Sequence, residues 1–339
     1  MLPYPDALWL IILMAVLLIG SVITAVHQAE VVAHKVGEPL GTLILAVCVT
    51  IIEVALIVSI MLSAGEDGGL IARDSVFAVI MIVMNGVIGI SILLGCLRHH
   101  ILSFRVEGSN SGLTVLIAMT FMILIVPNFT TTTLGPTFSD SQLIFAGVLS
   151  LVLYGTFVFV QTVRHRDYFL QQNEPELKIS ASNVIAPSNT KTFVSGILLL
   201  ISLVAVVLLA KALSPSIELA IDMMGAPRAV VGIAIALLVL LPEGVAATRA
   251  AINNRLQNSL NLSIGSALAS IGLTIPAVAF VSIVFDLPIS LGVDALGMTF
   301  LGLTFLLSIL TIAIGRATVL QGAVHLVVFA AYLFLSLVP

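Results

Sequence analysis

LILAVCVTIIEVALIVSIML, Leu43 to Leu62, is twenty residues long, enough to cross the hydrocarbon core of a bilayer as a helix, and its one charged residue, Glu53, lies near the middle. The stretch is typical of the chain. Of 339 residues, 60% are apolar and 9% are charged, and the apolar residues recur in runs about twenty residues long. The composition predicts an all-α membrane protein with many spans. A charged side chain at the centre of a spanning helix costs on the order of 2.5–3.5 kcal/mol to insert, so such residues face a bundle interior or an aqueous cavity and mark transport pathways. Glu53 is a candidate site residue on this ground alone. Cys48 and Cys96 both fall in apolar runs, which argues against a disulfide framework or a thiolate metal site, and the net charge of −4 says little for an embedded chain.

Apolar runs bounded by charges, Gly and Pro predict ten transmembrane helices, near 7–26, 40–63, 74–96, 112–127, 142–163, 194–212, 228–250, 259–284, 290–313 and 318–337. The first run has no basic segment before it and carries Asp6 where Lys or Arg would stand in a signal peptide, so it reads as a helix. The 13 basic residues divide sharply between alternate loops. Lys35, Arg98, Arg105, Arg164, Arg166, Lys178, Lys191, Arg249, Arg255 and Arg316 fall on one side; Arg73, Lys211 and Arg228 fall on the other. The positive-inside rule makes the first side cytoplasmic and puts both termini outside. The longest polar stretch, 164–192, reads as a cytoplasmic linker without a dense acidic run. It divides the chain into 1–163 and 193–339, each with five predicted helices.

The two halves repeat. GEPLGTLILAVCVTIIE, Gly37 to Glu53, and GAPRAVVGIAIALLVLLPE, Gly225 to Glu243, each begin Gly-x-Pro, where proline suits a first helical turn, and each reach a glutamate after an apolar run. At ~1.5 Å per residue both glutamates lie roughly 20 Å along their helices, near the middle of a tilted span. Of the 17 acidic residues, only these two are well inside a predicted span. Asn85 follows Glu53 by 32 residues and Thr274 follows Glu243 by 31, each a polar residue in a helix rich in small residues. Two halves with an odd number of helices have opposite orientations, and inverted repeats with polar groups meeting at the midplane are the plan of secondary transporters. Thr50, Ser266 and Ser270 join Glu53, Glu243, Asn85 and Thr274 as candidate site residues, with interhelical hydrogen bonding as the competing role for the uncharged ones. Pro242, directly before Glu243, frees backbone carbonyls in mid-helix.

These residues resemble the cation/calcium exchanger superfamily, most closely its bacterial ChaA-type calcium/proton and sodium–potassium/proton antiporters. AEVVAHKVGEPLGTLILAVCVTIIEVALIVSI, at Glu53, is similar to the first signature repeat; PEGVAATRAAINNRLQNSLNLSIGSALAS, at Glu243, is similar to the second; and GRATVLQGAVHL is similar to the start of the family's last helix. The calcium/proton branch usually carries Gly-Asn ahead of its glutamate motif, where this chain has Val49 and Thr50, and Pro-Glu-Gly stands in the second repeat. The resemblance implies a sodium/calcium exchanger-like fold in which helices one and six slide across a rigid remainder.

Glutamates are hard oxygen ligands, and the same two carboxylates can hold a cation or protons but not both. That exclusion is antiport. Two carboxylates balance one Ca²⁺ or two H⁺, which favours calcium/proton exchange; sodium/proton or potassium/proton exchange is the alternative. A passive channel would run without proton countertransport, and an intramembrane acid-dyad hydrolase would not need two inverted halves. The expectation is a secondary transporter of a bacterial inner membrane, not an enzyme, with Glu53 and Glu243 as metal ligands. Its partners are cations, protons and lipid; no cofactor and no nucleic acid are expected, and a homo-oligomer stays open. His99 and His100, beside a loop assigned to the cytoplasm, are candidate pH sensors because histidine changes charge in the relevant range.

Overall fold

The computed structural model describes residues 8–37, 40–170, 188–224, 227, 229–287 and 289–338. Pro39 and Gly225 of the paired helix starts, Lys178 and Arg228 of the charge partition, and 171–187 of the 164–192 linker lie outside the described residues. Among the described residues, ten helices are long and apolar enough to cross a membrane: α1 (Trp9–Val36), α2 (Ile44–Leu62), α3 (Gly68–His99), α4 (Val106–Phe129), α5 (Asp140–Arg164), α6 (Asn189–Ile217), α7 (Ala229–Ile252), α8 (Leu256–Val284), α9 (Ala295–Ala313) and α10 (Val319–Leu337). The count and order agree with the sequence. The ends do not: α1 runs ten residues past its predicted end at residue 26, and α3 begins before residue 74 and ends after residue 96. Hydropathy marks where a helix leaves lipid, whereas the hydrogen-bonded backbone continues through His27, Glu30 and Lys35 into the polar interface. In the other direction, α9 starts five residues later than expected, because Asp294 caps it by accepting from the Gly297 N–H at 2.7 Å.

Loop contacts sort the helix ends onto two faces. On one, β1 (Leu102–Ser103) pairs antiparallel with β2 (Arg316–Ala317). The Arg105 N–H donates to Gln257 Oε1 at 2.6 Å, the Arg105 guanidinium donates to the Asp167 carbonyl at 2.8 Å, and Asn261 Nδ2 donates to the Phe169 carbonyl at 2.6 Å. The connections after α3, α5, α7 and α9 therefore share this face. On the other, the Ser290 N–H donates to the Gly69 carbonyl and the Gly292 N–H to the Pro136 carbonyl, each at 3.0 Å, while the Arg73 guanidinium reaches the Gly292 carbonyl at 3.3 Å. This gathers the connections before α3, α5 and α9. Alternate loops thus meet on opposite faces, as ten spans in two inverted five-helix halves require.

The apolar interior is split. The larger core is built by α3, α4, α5, α8, α9 and α10 with part of α7, through residues such as Ile80, Met84, Leu116, Leu268 and Phe305. A second core joins Val22, Ala25 and Ala29 of α1 and Val206, Ala210 and Leu213 of α6 to Ile52 and Ile57 of α2 and to Val231 and Ile235 of α7. Among the described residues, none from α1 or α6 belongs to the larger core. The symmetry-related helices α1 and α6 therefore pack on the flank of the other eight, in a second core that they share with α2 and α7. Within those eight, α3 is central: 78% of its most apolar window is buried, against 22% for α1.

Both central helices break their regular pitch at equivalent points. α3 carries a π-helical turn over Ile82–Val87, around Asn85, and α8 carries one over Ser270–Thr274. A π-turn widens the helix and leaves carbonyls without their usual i→i−4 partners, and it recurs at functional positions.

Candidate functional site

A cavity of about 310 Å³ opens between α2, α5, α7 and α8, and its lining includes Glu53 and Glu243 together with Thr50, Ser266 and Ser270. The two glutamates come from α2 and α7, the corresponding helices of the inverted halves. Tyr154 and Phe157 of α5 supply an apolar wall. Further out, Gln161, Asn258 and Asn261 line the mouth, at the end of α5 and the start of α8. Exposure falls along α8 from exposed Asn258 through half-buried Ser266 to buried Ser270. The cavity therefore runs from the two carboxylates to the face that gathers the connections after α3, α5, α7 and α9.

Glu53 is 1% exposed, and each oxygen of its carboxylate is occupied. The Ser270 hydroxyl donates to Oε1 at 2.6 Å and the Thr274 hydroxyl donates to Oε2 at 2.8 Å. Both donors belong to the π-turn of α8. In a regular helix residues four apart already share a face; the wider π-turn pushes that face outward, and the two hydroxyls reach one carboxylate on the facing α2. Thr50 donates back to the Ala46 carbonyl at 2.8 Å, so its hydroxyl proton is committed while its oxygen still faces the cavity as an acceptor. Glu243 differs. Its Oε2 is buried and has no hydrogen-bond donor among the described residues.

Of the residues singled out in the sequence, the structure brings Glu53, Glu243, Thr50, Ser266 and Ser270 to the cavity wall and puts Thr274 directly behind it on Glu53. Asn85 goes elsewhere. It is fully buried, donates to Thr304 Oγ1 of α9 at 2.8 Å, and presents Oδ1 to the His325 ring of α10 at 3.1 Å. The repeat located Asn85 at the right height on α3, but side-chain direction is set by the partners offered by α9 and α10, which no internal repeat reveals. His99 and His100 do not line the cavity: His99 Nε2 lies 2.8 Å from the Ile252 carbonyl, and His100 ends α3 with φ +62°. Three residues escaped the sequence reading, namely Gln161, Asn258 and Asn261 of the mouth. Asparagines and glutamines at helix ends look like ordinary interfacial residues, and only the closure of α5 against α8 puts them on one passage.

Ten helices in inverted halves, with a carboxylate from each half on one midplane cavity, define a secondary transporter of the exchanger type. The chain belongs to the sodium/calcium exchanger protein family, whose model matches residues 6–163 and 194–338, and to the ChaA-type branch of the cation/calcium exchanger superfamily. It is 47% identical to the protein y4hA of Sinorhizobium fredii over 334 residues, covering 97% of this chain and 89% of that one. It is 34% identical to the sodium-potassium/proton antiporter ChaA of Escherichia coli over 332 residues, covering 98% of this chain and 89% of that one. Among solved structures, native YfkE superposes with a TM-score of 0.73 at 17% identity, covering 97% of this chain and 92% of that one. The H⁺/Ca²⁺ exchanger CAX superposes with a TM-score of 0.70 at 15% identity, covering 98% of this chain and 82% of that one. At these identities the two structures establish the shared fold.

The hydroxyl pair on Glu53 generates a prediction. Hydrogen bonds to a charged group in a dry site are worth roughly 1.5–3 kcal/mol, so Thr274→Val, which keeps shape and loses the donor, should weaken apparent cation affinity about tenfold or more. Ser270→Ala should do the same. Cation-dependent exchange in vesicles measures this, and unchanged affinity in both variants would make the hydroxyls packing groups.

Proposed function

We propose that the chain is an antiporter that moves Ca²⁺ out of the cell in exchange for H⁺, with Glu53 and Glu243 as the groups that hold the cation or the protons. One observation carries the reading: two carboxylates from inverted halves face one cavity, one with both oxygens occupied by hydroxyls and the other with a buried oxygen that has no donor among the described residues. A buried carboxylate oxygen without a donor is costly unless a cation or a proton completes it. Two carboxylates match the charge of one Ca²⁺ or two H⁺, and Thr50, Ser266 and Ser270 add neutral oxygens of the kind a hard cation takes. Bound cation and bound protons exclude each other, so carrying one across requires releasing the other.

A second reading, Na⁺ or K⁺ in exchange for H⁺, is supported by the 34% identity to a chain named a sodium-potassium/proton antiporter. In that case one carboxylate faces the monovalent ion while the other keeps its proton. α1 and α6, which contribute no described residue to the larger core, are the helices we assign to the sliding motion. We also assign the face with most of the basic residues to the cytoplasm of a bacterial inner membrane. Both termini are then outside, 164–192 is a cytoplasmic linker between the halves 1–163 and 193–339, and the cavity is open inward.

Glu53→Gln and Glu243→Gln keep the shape of the side chain and lose its charge, so each should abolish exchange with folded protein still in the membrane. The assay is proton flux in vesicles against imposed Ca²⁺, Na⁺ and K⁺ gradients, and it identifies the ion at the same time. Wild-type exchange in either variant would reduce that glutamate to a structural role. Orientation is checked separately. A cysteine in place of exposed Ser188 should resist an impermeant thiol reagent applied to intact cells, native Cys48 and Cys96 being buried; rapid labelling would reverse the topology.

A further inference from the structure

α10 carries a histidine that the cavity does not use. His325 is 1% exposed, with Nδ1 3.1 Å from Asn85 Oδ1 on α3 and Nε2 3.1 Å from Thr311 Oγ1 on α9. Asn85 Nδ2 donates to Thr304 Oγ1 at 2.8 Å, and it also lies 3.8 Å from Met81 Sδ. The Thr304 hydroxyl donates to the same sulfur at 3.5 Å. The donor and acceptor inventory gives this chain one direction. The Asn85 amide nitrogen can only donate, so the Thr304 oxygen accepts and sends its own proton to Met81. The Asn85 carbonyl oxygen can only accept, so His325 carries its proton on Nδ1, and Nε2 accepts from the Thr311 hydroxyl. Every polar atom of Asn85 is thereby occupied, from α9 and α10.

α3 and α10 are packed tightly at the base of this side chain. A Cβ on Gly89 of α3 would stand 3.1 Å from His325 Cβ, and one on Gly322 of α10 would stand 2.6 Å from the Leu93 backbone nitrogen. The two helices touch backbone to backbone beside the imidazole.

The consequence appears when the halves are compared. Thr274 and Ser270, four residues apart on the π-turn of α8, donate to Glu53 across the repeat boundary. The counterparts on α3 are Asn85 and Met81, also four apart, in the helix that the inverted relation lays against α7 and Glu243. The segment is close: a Cβ on Gly244 would stand 3.2 Å from Val87 Cγ2, in the π-turn of α3. Yet Met81 has no proton to give, Asn85 is turned into α9 and α10, and Glu243 Oε2 is left without a donor.

We propose that His325 is a positioning residue for exchange: by holding Asn85 against α9 and α10 it keeps the carboxamide off Glu243 and leaves the Glu243 oxygen open to the transported cation or proton. The pseudo-symmetric site is thus made asymmetric, with a capped carboxylate on α2 and an open one on α7. The role assigned to Glu243 rests on the function proposed above; the hydrogen-bond lock itself does not.

The lock is read by ¹⁵N NMR of purified protein labelled at the histidine rings, with the His325 signals assigned by their loss in His325→Gln. The expected state at neutral pH is the uncharged Nδ1–H tautomer, changing to Nε2–H in Asn85→Ala. An imidazolium, an Nε2–H ring in the wild type, or a tautomer that Asn85→Ala does not move would overturn the lock. Its effect on exchange is read in vesicles. His325→Leu leaves Asn85 Oδ1 unheld, so that the carboxamide can turn its donor from Thr304 onto Glu243, and should raise the cation KM roughly fivefold, the scale of one hydrogen bond. His325→Asn, which keeps a donor near the Nδ1 position, should retain the wild-type KM. The His325→Leu/Asn85→Ala double variant should return toward it, because the competing amide is gone. A KM that stays raised in the double variant means that His325 only supports packing, and the positioning role falls. If His325→Leu does not reach the membrane, His325→Asn against His325→Gln decides: Gln places its donor near Nε2, so equal KM values in the two would also overturn the proposal. Exchange surviving in Glu243→Gln would remove the proposed function while leaving the tautomer result standing.

Discussion

A carboxylate in the dry centre of a membrane protein sets the terms for the rest of this structure. Glu53 is 1% exposed and, among the described residues, is satisfied by Ser270 and Thr274, 217 and 221 residues away in sequence. Those hydroxyls must come from the other half of the chain. α2 must therefore lie against α8, and the inverted relation then lays α7 against α3. The π-turns at Ile82–Val87 and Ser270–Thr274 fall at the height where these crossings occur. At Ser270–Thr274 this local helix irregularity is the means by which the second half supplies polar groups to the first half's glutamate.

The inverted plan does not make the two sides chemically equal. On the α2 side, two hydroxyls occupy both oxygens of Glu53. On the α7 side the equivalent positions hold Met81, which has no donor, and Asn85, which is spent on Thr304 and His325. One carboxylate of the site is capped and the other is open. Among the described residues α1 and α6 contribute nothing to the larger core and pack instead in a second core shared with α2 and α7, so the sliding proposed for them would leave the larger core intact.

Much of this was legible in the sequence, for physical reasons. A lone glutamate in an apolar run of twenty residues is too costly to be incidental, and the same placement in both halves exposed the repeat and, through the odd helix count, its inversion. Helix number followed from hydropathy, because lipid allows few other ways to satisfy a backbone. Thr274 was legible as a polar residue at the position repeat-related to Asn85, and Ser270 as a polar candidate in the same helix. The direction of Asn85 was not, since periodicity locates a residue along a helix while its neighbours decide where its side chain finds a partner. His325 hid for the same reason: one histidine in an apolar helix gives no sign that α3 and α9 will offer it an acceptor and a donor. The polar mouth at Gln161, Asn258 and Asn261 exists only once α5 and α8 close on each other.

The central claim is that cation and proton compete for the same two carboxylates, and proton release on cation binding tests it most directly. Purified protein in weakly buffered detergent solution is titrated with Ca²⁺, and separately with Na⁺ and K⁺, while the pH of the solution is followed. The account predicts that the transported ion liberates protons in proportion to its binding and that Glu243→Gln or Glu53→Gln loses this release. Saturable binding of that ion without proton release would contradict it.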